Sequence, residues 1–315
     1  MTVANFYCNS DPYAPALGNS WYDIASLLRK CLCDGYGGSA PAGWTCEWWD
    51  ETNEVAVFRI PVSSQFFLRI AGYAENSHMR AVYASIYQAM GDQNTGSGRR
   101  PADETKSILL GVDPNTPYWF VVADSRSFWL GCGGEYSGCT FFGELDSIVP
   151  DDLYSFSFPG KNAIVTTGDI SPDTPLLDFY YTDSGHFPLY AYDSAFSPTG
   201  DCVSLTYRRP GGAVNSNRTQ IGQTDGSPPC PYLGGALLYS RIPIIETDHI
   251  DRFRGFIPGL LELQHNRVDL LSLVPSDRGY ILRTLGNKQL VLVKMNYYNT
   301  VMAIDLNKYR ILEGS

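Results

Sequence analysis

The chain has 315 residues, of which 44% are hydrophobic, 13% aromatic and only 18% charged, and its net charge is -10. This composition excludes a disordered acidic segment and a charged helical rod, because both carry more charge and bury less apolar surface. The 30 glycines and 20 prolines exclude a helix bundle and indicate many short elements joined by turns.

The distribution of charge limits the partners of the protein. Residues 1–165 carry 18 acidic and 10 basic side chains, and residues 166–315 carry 15 and 13. Neither part has the basic stripe that neutralises phosphates, so no nucleic acid is expected as a partner. Apolar runs such as 118–123 are shorter than the roughly 18 residues of a bilayer span, and the first residues do not look like a signal peptide. We therefore expect that the protein is made in the cytosol and does not insert into a membrane.

The first predicted element is a helix near the start of the chain. Ser20, preceded by Asn19, can cap its N-terminus, and Asp23 stands three residues later as in a capping box. Gly35 is suited to end it. The apolar positions with helical spacing are Trp21, Ile24, Ala25, Leu28 and Leu32. We expect this helix to pack on a sheet.

After the helix the hydrophobic period changes from 3.6 to 2, which indicates β-strands. The predicted strands are 44–49, 54–60, 66–73, 79–89, 118–123, 127–132, several within 141–158, and 234–245, 269–274, 279–285, 289–294 and 301–306. The glycine-rich loop 91–103 has no apolar anchor, and we expect it to be exposed or ordered by a neighbour. The predicted fold is mainly β, with two antiparallel sandwich-like or barrel-like subdomains and one N-terminal helix packed on the first.

Composition divides the chain into three segments. Residues 1–165 form the predicted N-terminal helix and β-domain, residues 166–233 a loop-rich excursion or linker, and residues 234–315 a C-terminal β-domain. The stretch 168–175 is the best linker, because it is rich in glycine, proline and aspartate. Residues 178–229 form a long excursion, and long loops in compact domains usually serve contact or binding.

The eight cysteines are too few for a disulfide scaffold. Cys31 and Cys33 lie two apart on the predicted helix, so they point in different directions and do not suit a shared zinc ion. Cys132 and Cys139 bracket a hairpin-like loop that can place their sulfurs opposite each other, so they are candidates for a disulfide in an oxidising place. The other cysteines are expected to be reduced structural thiols.

Signals of catalysis are weak in this sequence. The Gly-x-Ser-x-Gly turn that carries the nucleophile of many hydrolases is missing. The four histidines, His78, His186, His249 and His265, are too scattered to form a metal-binding motif. We therefore expect no cofactor and no metal, and we do not expect the chain to be an enzyme.

The carboxylates leave one alternative open. Glu144, Asp146, Asp151 and Asp152 cluster near a predicted strand and near aromatic residues, and a glycosidase needs only two such groups. The favoured interpretation is that the acids flank turns and the aromatic residues fill a core. Glycan degradation is kept as a third hypothesis.

Several stretches combine turn and core residues in a recognisable way: the hairpin 119–130 with 142–145 and 157–158 after it, the turn 254–260, residues 303–305, and the opening with 10–12 and 43–44. Together these stretches resemble a group of tailed-bacteriophage and prophage virion proteins of about this length. The resemblance rests on turn and core residues and brings no catalytic residue with it. It implies roles as structural turn or interface positions for Trp119, Asp124, Arg126, Trp129, Arg254, Gly255, Pro258 and Gly259.

This resemblance implies a part of an assembled virion. The leading hypothesis is a non-enzymatic structural component of a tailed-phage virion, in the tail, collar or baseplate. It would be assembled in the host cytoplasm and would bury surface rich in tyrosine and tryptophan against copies of itself and other virion proteins. The alternatives are a capsid decoration or head-fibre protein, and a module that binds a host-surface receptor such as a glycan through residues 178–229.

Overall fold

The structure is a computed structural model that describes residues 3–17, 20–72, 80–99, 108–112, 118–132, 138–148, 152, 155–159, 189–192, 202–207, 238–241, 243–246, 252–263, 267–295 and 300–312. In these residues strands dominate, their sheets are antiparallel, and a helix lies near the N-terminus. The predicted class, mainly β with an N-terminal helix, is confirmed. The predicted linker 168–175 lies outside the described residues, and so does most of the excursion 178–229.

The elements are numbered along the chain. The helices are α1 (Trp21–Arg29), which continues as a π-helical turn (Lys30–Asp34), and α2 (Arg267–Ser272). The strands are β1 (Asn5–Cys8), β2 (Thr45–Asp50), β3 (Val55–Arg59), β4 (Phe67–Gly72), β5 (Arg80–Tyr87), β6 (Ala89–Met90), β7 (Gly96–Ser97), β8 (Ile108–Val112), β9 (Trp119–Ala123), β10 (Ser127–Cys132), β11 (Gly138–Glu144), β12 (Asp146–Ser147), β13 (Phe156–Pro159), β14 (Leu189–Tyr192), β15 (Cys202–Tyr207), β16 (Tyr239–Ser240), β17 (Pro243–Glu246), β18 (Arg252–Phe256), β19 (Leu260–Leu263), β20 (Tyr280–Leu285), β21 (Lys288–Met295) and β22 (Thr300–Asp305).

The N-terminal helix begins as the sequence predicts. The main-chain N–H of Asp23 donates to Oγ of Ser20 at 3.3 Å, and the N–H of Ser20 donates to Oδ2 of Asp23 at 3.0 Å, which is a complete capping box. The chain leaves the π-helical turn at Gly35. In the described parts of the chain, neither α1 nor α2 is long and apolar enough to cross a membrane.

The strands of the described residues form three larger sheets and one short hairpin. The central sheet has the order β1-β9-β10-β11-β13-β14-β15-β17-β18-β12. The N-terminal sheet has the order β2-β3-β4-β5-β8, and the C-terminal sheet has the order β16-β19-β22-β21-β20. The hairpin is β6–β7.

The first strands of the central sheet are buried on both faces. Along β9, Trp119, Val121 and Ala123 pack in the core shared with α1 and the N-terminal sheet, whereas Phe120 and Val122 pack in the core shared with the C-terminal sheet. This alternation follows from the two-residue period of a strand. Because both faces are covered, β9 is apolar throughout. The hairpin β9–β10 therefore lies between two other layers of the molecule.

The outer face of the N-terminal sheet is covered by the hairpin β6–β7. Met90 packs there against the buried cluster of Val55, Val57, Phe67 and Tyr87. Arg69 holds the loop between the two strands, because its Nε donates to the carbonyl of Gln93 at 2.9 Å and its guanidinium also bonds the side chain of Asn94 at 3.0 Å. Residues 91–97 are mostly exposed, as expected, but a polar side chain of the neighbouring strand anchors them. Residues 100–103 lie outside the described residues.

The outer face of the C-terminal sheet is covered by α2. Leu270 and Leu273 pack there against Leu290 and Leu292 of β21. The predicted strand at 269–274 is therefore wrong, because Arg267–Ser272 is helical. A short apolar run cannot be assigned to strand or helix by periodicity alone. Here the run is helical, and its apolar side chains pack on the outer face of the C-terminal sheet.

The central sheet draws strands from all three segments predicted from composition. It begins with β1, which the sequence analysis missed, and it also contains β14, β15, β17 and β18. β1 pairs with β9 so that Tyr7 lies opposite Val121. The four residues of β1 are too few for a recognisable two-residue period. The predicted domain boundaries stay a prediction.

Candidate functional site

Charged and polar side chains are buried where the hairpin β9–β10 turns. Asp124 closes this turn, since its Oδ1 accepts the main-chain N–H of Arg126 at 2.9 Å and that of Ser127 at 2.7 Å. Its carbonyl accepts the indole N–H of Trp44 at 2.9 Å. The residue is only 6% exposed, so its carboxylate requires a partner of opposite charge.

Arg310 supplies that charge from a distant part of the chain. Its Nε lies 2.6 Å from Oδ2 of Asp124, and its other nitrogens donate to the carbonyl of Leu145 at 3.0 Å and to Oγ of Ser127 at 2.9 Å. The hydroxyl of Ser127 lies 3.2 Å from that of Tyr309. Arg310 and Tyr309 are fully buried. We call Asp124, Ser127, Tyr309 and Arg310 the ionic joint.

The charges of the ionic joint stabilise each other. Burial alone would raise the pKa of Asp124, but the guanidinium of Arg310 and the hydrogen bonds of the turn hold it below its ordinary value. Burial alone would lower the pKa of Arg310, but the carboxylate of Asp124 raises it above its ordinary value. The pKa of Tyr309 is raised, first by burial and then by the charge of Asp124. At neutral pH the joint therefore holds an ion pair beside a neutral phenol.

A second buried carboxylate holds the residues that follow Arg310. Asp146 is 1% exposed and accepts the main-chain N–H groups of Ile311 at 2.8 Å and of Leu312 at 3.2 Å. On the other side, the N–H of Gly259 donates to the carbonyl of Tyr309 at 2.8 Å. We call Tyr309–Leu312 the C-terminal strap. It is fastened both to the hairpin β9–β10 and to the predicted turn 254–260.

Glu144 serves in the same way on the opposite side of the hairpin. It is 1% exposed, and one carboxylate oxygen accepts both the N–H of Ser64, at 2.8 Å, and the hydroxyl of that residue. Its other oxygen lies 3.3 Å from Nε of Arg126. Glu144 and Asp146, two of the four acids considered for glycan degradation, are thus buried and hold loops in place.

The predicted turn 254–260 contains a second buried ion pair. Arg254, which is fully buried, bonds Asp152 through two nitrogens at 2.9 Å and 3.1 Å. The next residue, Gly255, lies opposite Ser147 in the pairing of β12 with β18. Its φ is 147°, and a Cβ there would stand 2.1 Å from the carbonyl oxygen of Asp146. Only glycine permits this approach of two main chains.

The two predicted tryptophans also have internal partners. Both Trp119 and Trp129 are fully buried. The indole N–H of Trp129 donates to the carbonyl of Pro258 at 2.9 Å, and that of Trp119 donates to the carbonyl of Pro15 at 3.1 Å. The structure thus brings the hairpin and the turn 254–260 together inside the molecule. This placement favours a role in turns and internal packing for these side chains over contact with a neighbouring subunit.

The strand register argues against the predicted disulfide. In the pairing of β10 with β11, Cys132 lies opposite Gly138 and Cys139 lies opposite Gly131. Successive positions of a strand face opposite sides of the sheet, so the two cysteine positions do not share a face. Cys139 is a buried thiol whose Sγ lies 3.3 Å from Sδ of Met302.

Metal-binding chemistry does not emerge from the described residues. Within them, no group of three or more histidine, cysteine, aspartate or glutamate side chains is arranged to hold an ion. His78, His186, His249 and His265 all lie outside the described residues. The expectation of no cofactor stays a prediction.

Sequence reasoning missed the partners of the predicted residues. Arg310, Asp152 and Ser64 bind side chains that lie 186, 102 and 80 positions away in the chain. A local pattern carries no signal for such pairs. The Tyr309-Arg310 dipeptide does not predict a buried arginine, because arginines are mostly exposed.

The comparisons with known proteins add no family to this picture. No family model matches the chain, and no curated protein is significantly similar to it.

We expect the ionic joint to make stability depend on pH in acid. The pKa of Asp124 is lower in the folded chain than its ordinary value of about 3.9, so its stabilisation is complete above that value and is lost as the pH falls through the folded pKa. The measurement is urea unfolding of the wild type and of Asp124→Asn from about pH 6 down to about pH 2.5. The stability difference between the two proteins should shrink as the pH falls. A difference that stays constant over this range would contradict the assignment.

Proposed function

We propose that the protein is a non-enzymatic structural component of a tailed-phage virion, in the tail, collar or baseplate, that assembles with copies of itself and other virion proteins. The observation that carries the proposal is the use of its buried charges. Asp124, Glu144, Asp146, Arg254 and Arg310 all bond other parts of the same chain. Polar groups used in this way hold a shape and are not available to a substrate.

The surface available for assembly differs from the one expected. Tryptophan was expected to contribute to contact surfaces, but Trp21, Trp44, Trp119 and Trp129 are buried, because they fill the cores between the layers. Tyrosine fits the expectation better, since Tyr13 is 88% exposed. Large apolar side chains at the surface are suited to contacts between subunits.

The opening segment is the best candidate for a contact surface. Tyr13 is the most exposed large hydrophobic residue of the described chain, and Val3 of the same segment is 64% exposed. Tyr13 also has a φ of 62°, an uncommon value for a residue other than glycine, so the backbone that carries this exposed ring is strained.

The test is the association state of the purified protein. We expect the wild type to form a defined oligomer in light scattering and sedimentation, or to join purified particles. Tyr13→Ser should weaken that association about tenfold, because loss of an anchoring aromatic residue at an interface costs over 1 kcal/mol. Asn287→Ser, in an exposed turn of the C-terminal sheet, is the matched control and should have no effect.

Two outcomes would contradict the proposal. One is a wild-type protein that stays monomeric at its highest soluble concentration and does not join particles. The other is hydrolysis of host glycans that is lost in Glu144→Gln, which would favour the enzyme hypothesis. The host-binding alternative rests on residues 178–229, most of which lie outside the described residues.

A further inference from the structure

Two cysteines stand in segments that are hydrogen-bonded to each other where the helical segment meets the N-terminal sheet. The main-chain N–H of Trp44 donates to the carbonyl of Leu32 at 3.0 Å. Cys33 directly follows Leu32 in the π-helical turn, and Cys46 stands two residues after Trp44, on the same face of the extended chain. The hydrogen bond therefore brings the two cysteine positions together from separate elements.

Both side chains are half-buried and pack against the edge of one hydrophobic core. They are thiols in this structure. The charges of Arg29 and Asp34 shift the pKa of both thiols. Burial raises the pKa of Cys33 to about 12, and the charge of the Cys46 sulfur acts in the same direction. This effect is a further sign that the two thiols are near each other.

Burial raises the pKa of Cys46 as well, whereas the positive charge of Arg29 lowers it. Since the thiolate is the nucleophile and both pKa values are raised, reaction with a peroxide should be faster at alkaline pH.

We propose that Cys33 and Cys46 form a reversible disulfide that joins the π-helical turn to β2 when the protein meets a peroxide. The thiol of Cys46 loses its proton, the thiolate attacks one oxygen of the peroxide, and the O–O bond breaks to give a sulfenic acid and hydroxide, which takes up that proton and becomes water. The thiol of Cys33 then attacks that sulfur, the S–O bond breaks, and a second water leaves. Two thiols lose two electrons and two protons, and one hydrogen peroxide is reduced to two waters.

The consequence is a covalent link at an edge of the N-terminal sheet. Among the described strands β2 is at the end of that sheet, with β3 as its partner. A disulfide here closes a loop of 14 residues, from Cys33 to Cys46, which should raise the Tm by about 5 °C. The protein would be reduced in a cytosol and would gain this link after leaving it. This inference does not depend on the proposed function.

The experiment maps the cysteines of the purified full-length chain. The reduced protein is treated with one equivalent of hydrogen peroxide at mildly alkaline pH, unfolded, alkylated with iodoacetamide and digested. Trypsin alone leaves both cysteines in one peptide, so chymotrypsin, which cuts after Tyr36 and Trp44, is used as well. We expect a linked pair of peptides that contain Cys33 and Cys46, released by dithiothreitol, with a Tm that falls back on reduction.

The control separates this pair from its neighbour in sequence. Cys31 is fully buried, whereas Cys33 is half-buried. The link and the rise in Tm should persist in Cys31→Ser and disappear in Cys33→Ser and Cys46→Ser. Alkylation of both cysteines after peroxide treatment of the wild type, or a link that contains Cys31, would overturn the proposal. The wild-type peptide map decides the question even if a variant does not fold.

Discussion

Asp124→Asn is expected to lower the free energy of unfolding by about 3–5 kcal/mol, because it removes one partner of a buried ion pair and leaves the other charge uncompensated. Arg310 is fully buried and has Asp124 as its ionic partner at 2.6 Å. The amide can still accept the bonds of the turn, so the variant tests the charge more than the hairpin. Urea unfolding followed by tryptophan fluorescence measures the loss.

Asp50→Asn is the matched control for this change. Asp50 also caps a turn between strands, since its carboxylate accepts N–H groups of Thr52 and Asn53, both at 3.0 Å. This carboxylate is at the surface and lacks a buried cation, so its loss should have a much smaller effect.

A double variant, Asp124→Asn with Arg310→Met, should recover part of the lost stability, because the turn keeps its acceptor and no charge is then left unpaired. Equal losses in Asp124→Asn and Asp50→Asn would show that the buried ion pair contributes little to stability.

Gly255→Ala is expected to destabilise the fold by about 3 kcal/mol or more, from the combined strain of the main chain and of overpacking. The added Cβ would lie 2.1 Å from the carbonyl oxygen of Asp146 and 2.9 Å from Cα of Ser147. Neither atom belongs to a movable side chain, so β12 and β18 would have to separate. Thermal and urea unfolding measure the effect.

Gly286→Ala separates the two sources of that strain. Gly286 also has a positive φ, of 64°, but a Cβ there would meet no atom within 4 Å. This variant should lose only the cost of the main-chain conformation, about 1 kcal/mol. Similar losses at both positions would mean that the contact between β12 and β18 is less tight than the structure shows.

Local patterns in the sequence were sufficient for some of this fold. Ser20 and Asp23 identify the start of α1, and the turn at Asp124 with apolar runs on both sides identifies the hairpin β9–β10. In each case the physical determinant lies within a few residues. The strand predicted at 269–274 failed because its apolar residues suit either structure until the sheet they cover is known.

The candidate site was half accessible from the sequence. Asp124 and Arg254 were singled out, and Asp152 was named as a candidate acid, but neither Arg310 nor the pairing of Asp152 with Arg254 was predicted. A charged residue looks the same in a sequence whether it is in water or in a core. Only the folded topology shows that these charges are buried, and burial is what turns an ordinary arginine into a required counter-charge.

The C-terminal strap has a consequence for the order in which the protein matures at the ribosome. The turn at Asp124 leaves the ribosome long before Arg310 is made, so the nascent core cannot bury that carboxylate with its counter-charge until synthesis has passed residue 310. A prematurely terminated product would retain an unneutralised carboxylate at its centre and would remain a substrate for chaperones and proteases. Closure of the joint thus distinguishes chains that extend through the strap from chains that stop short of it.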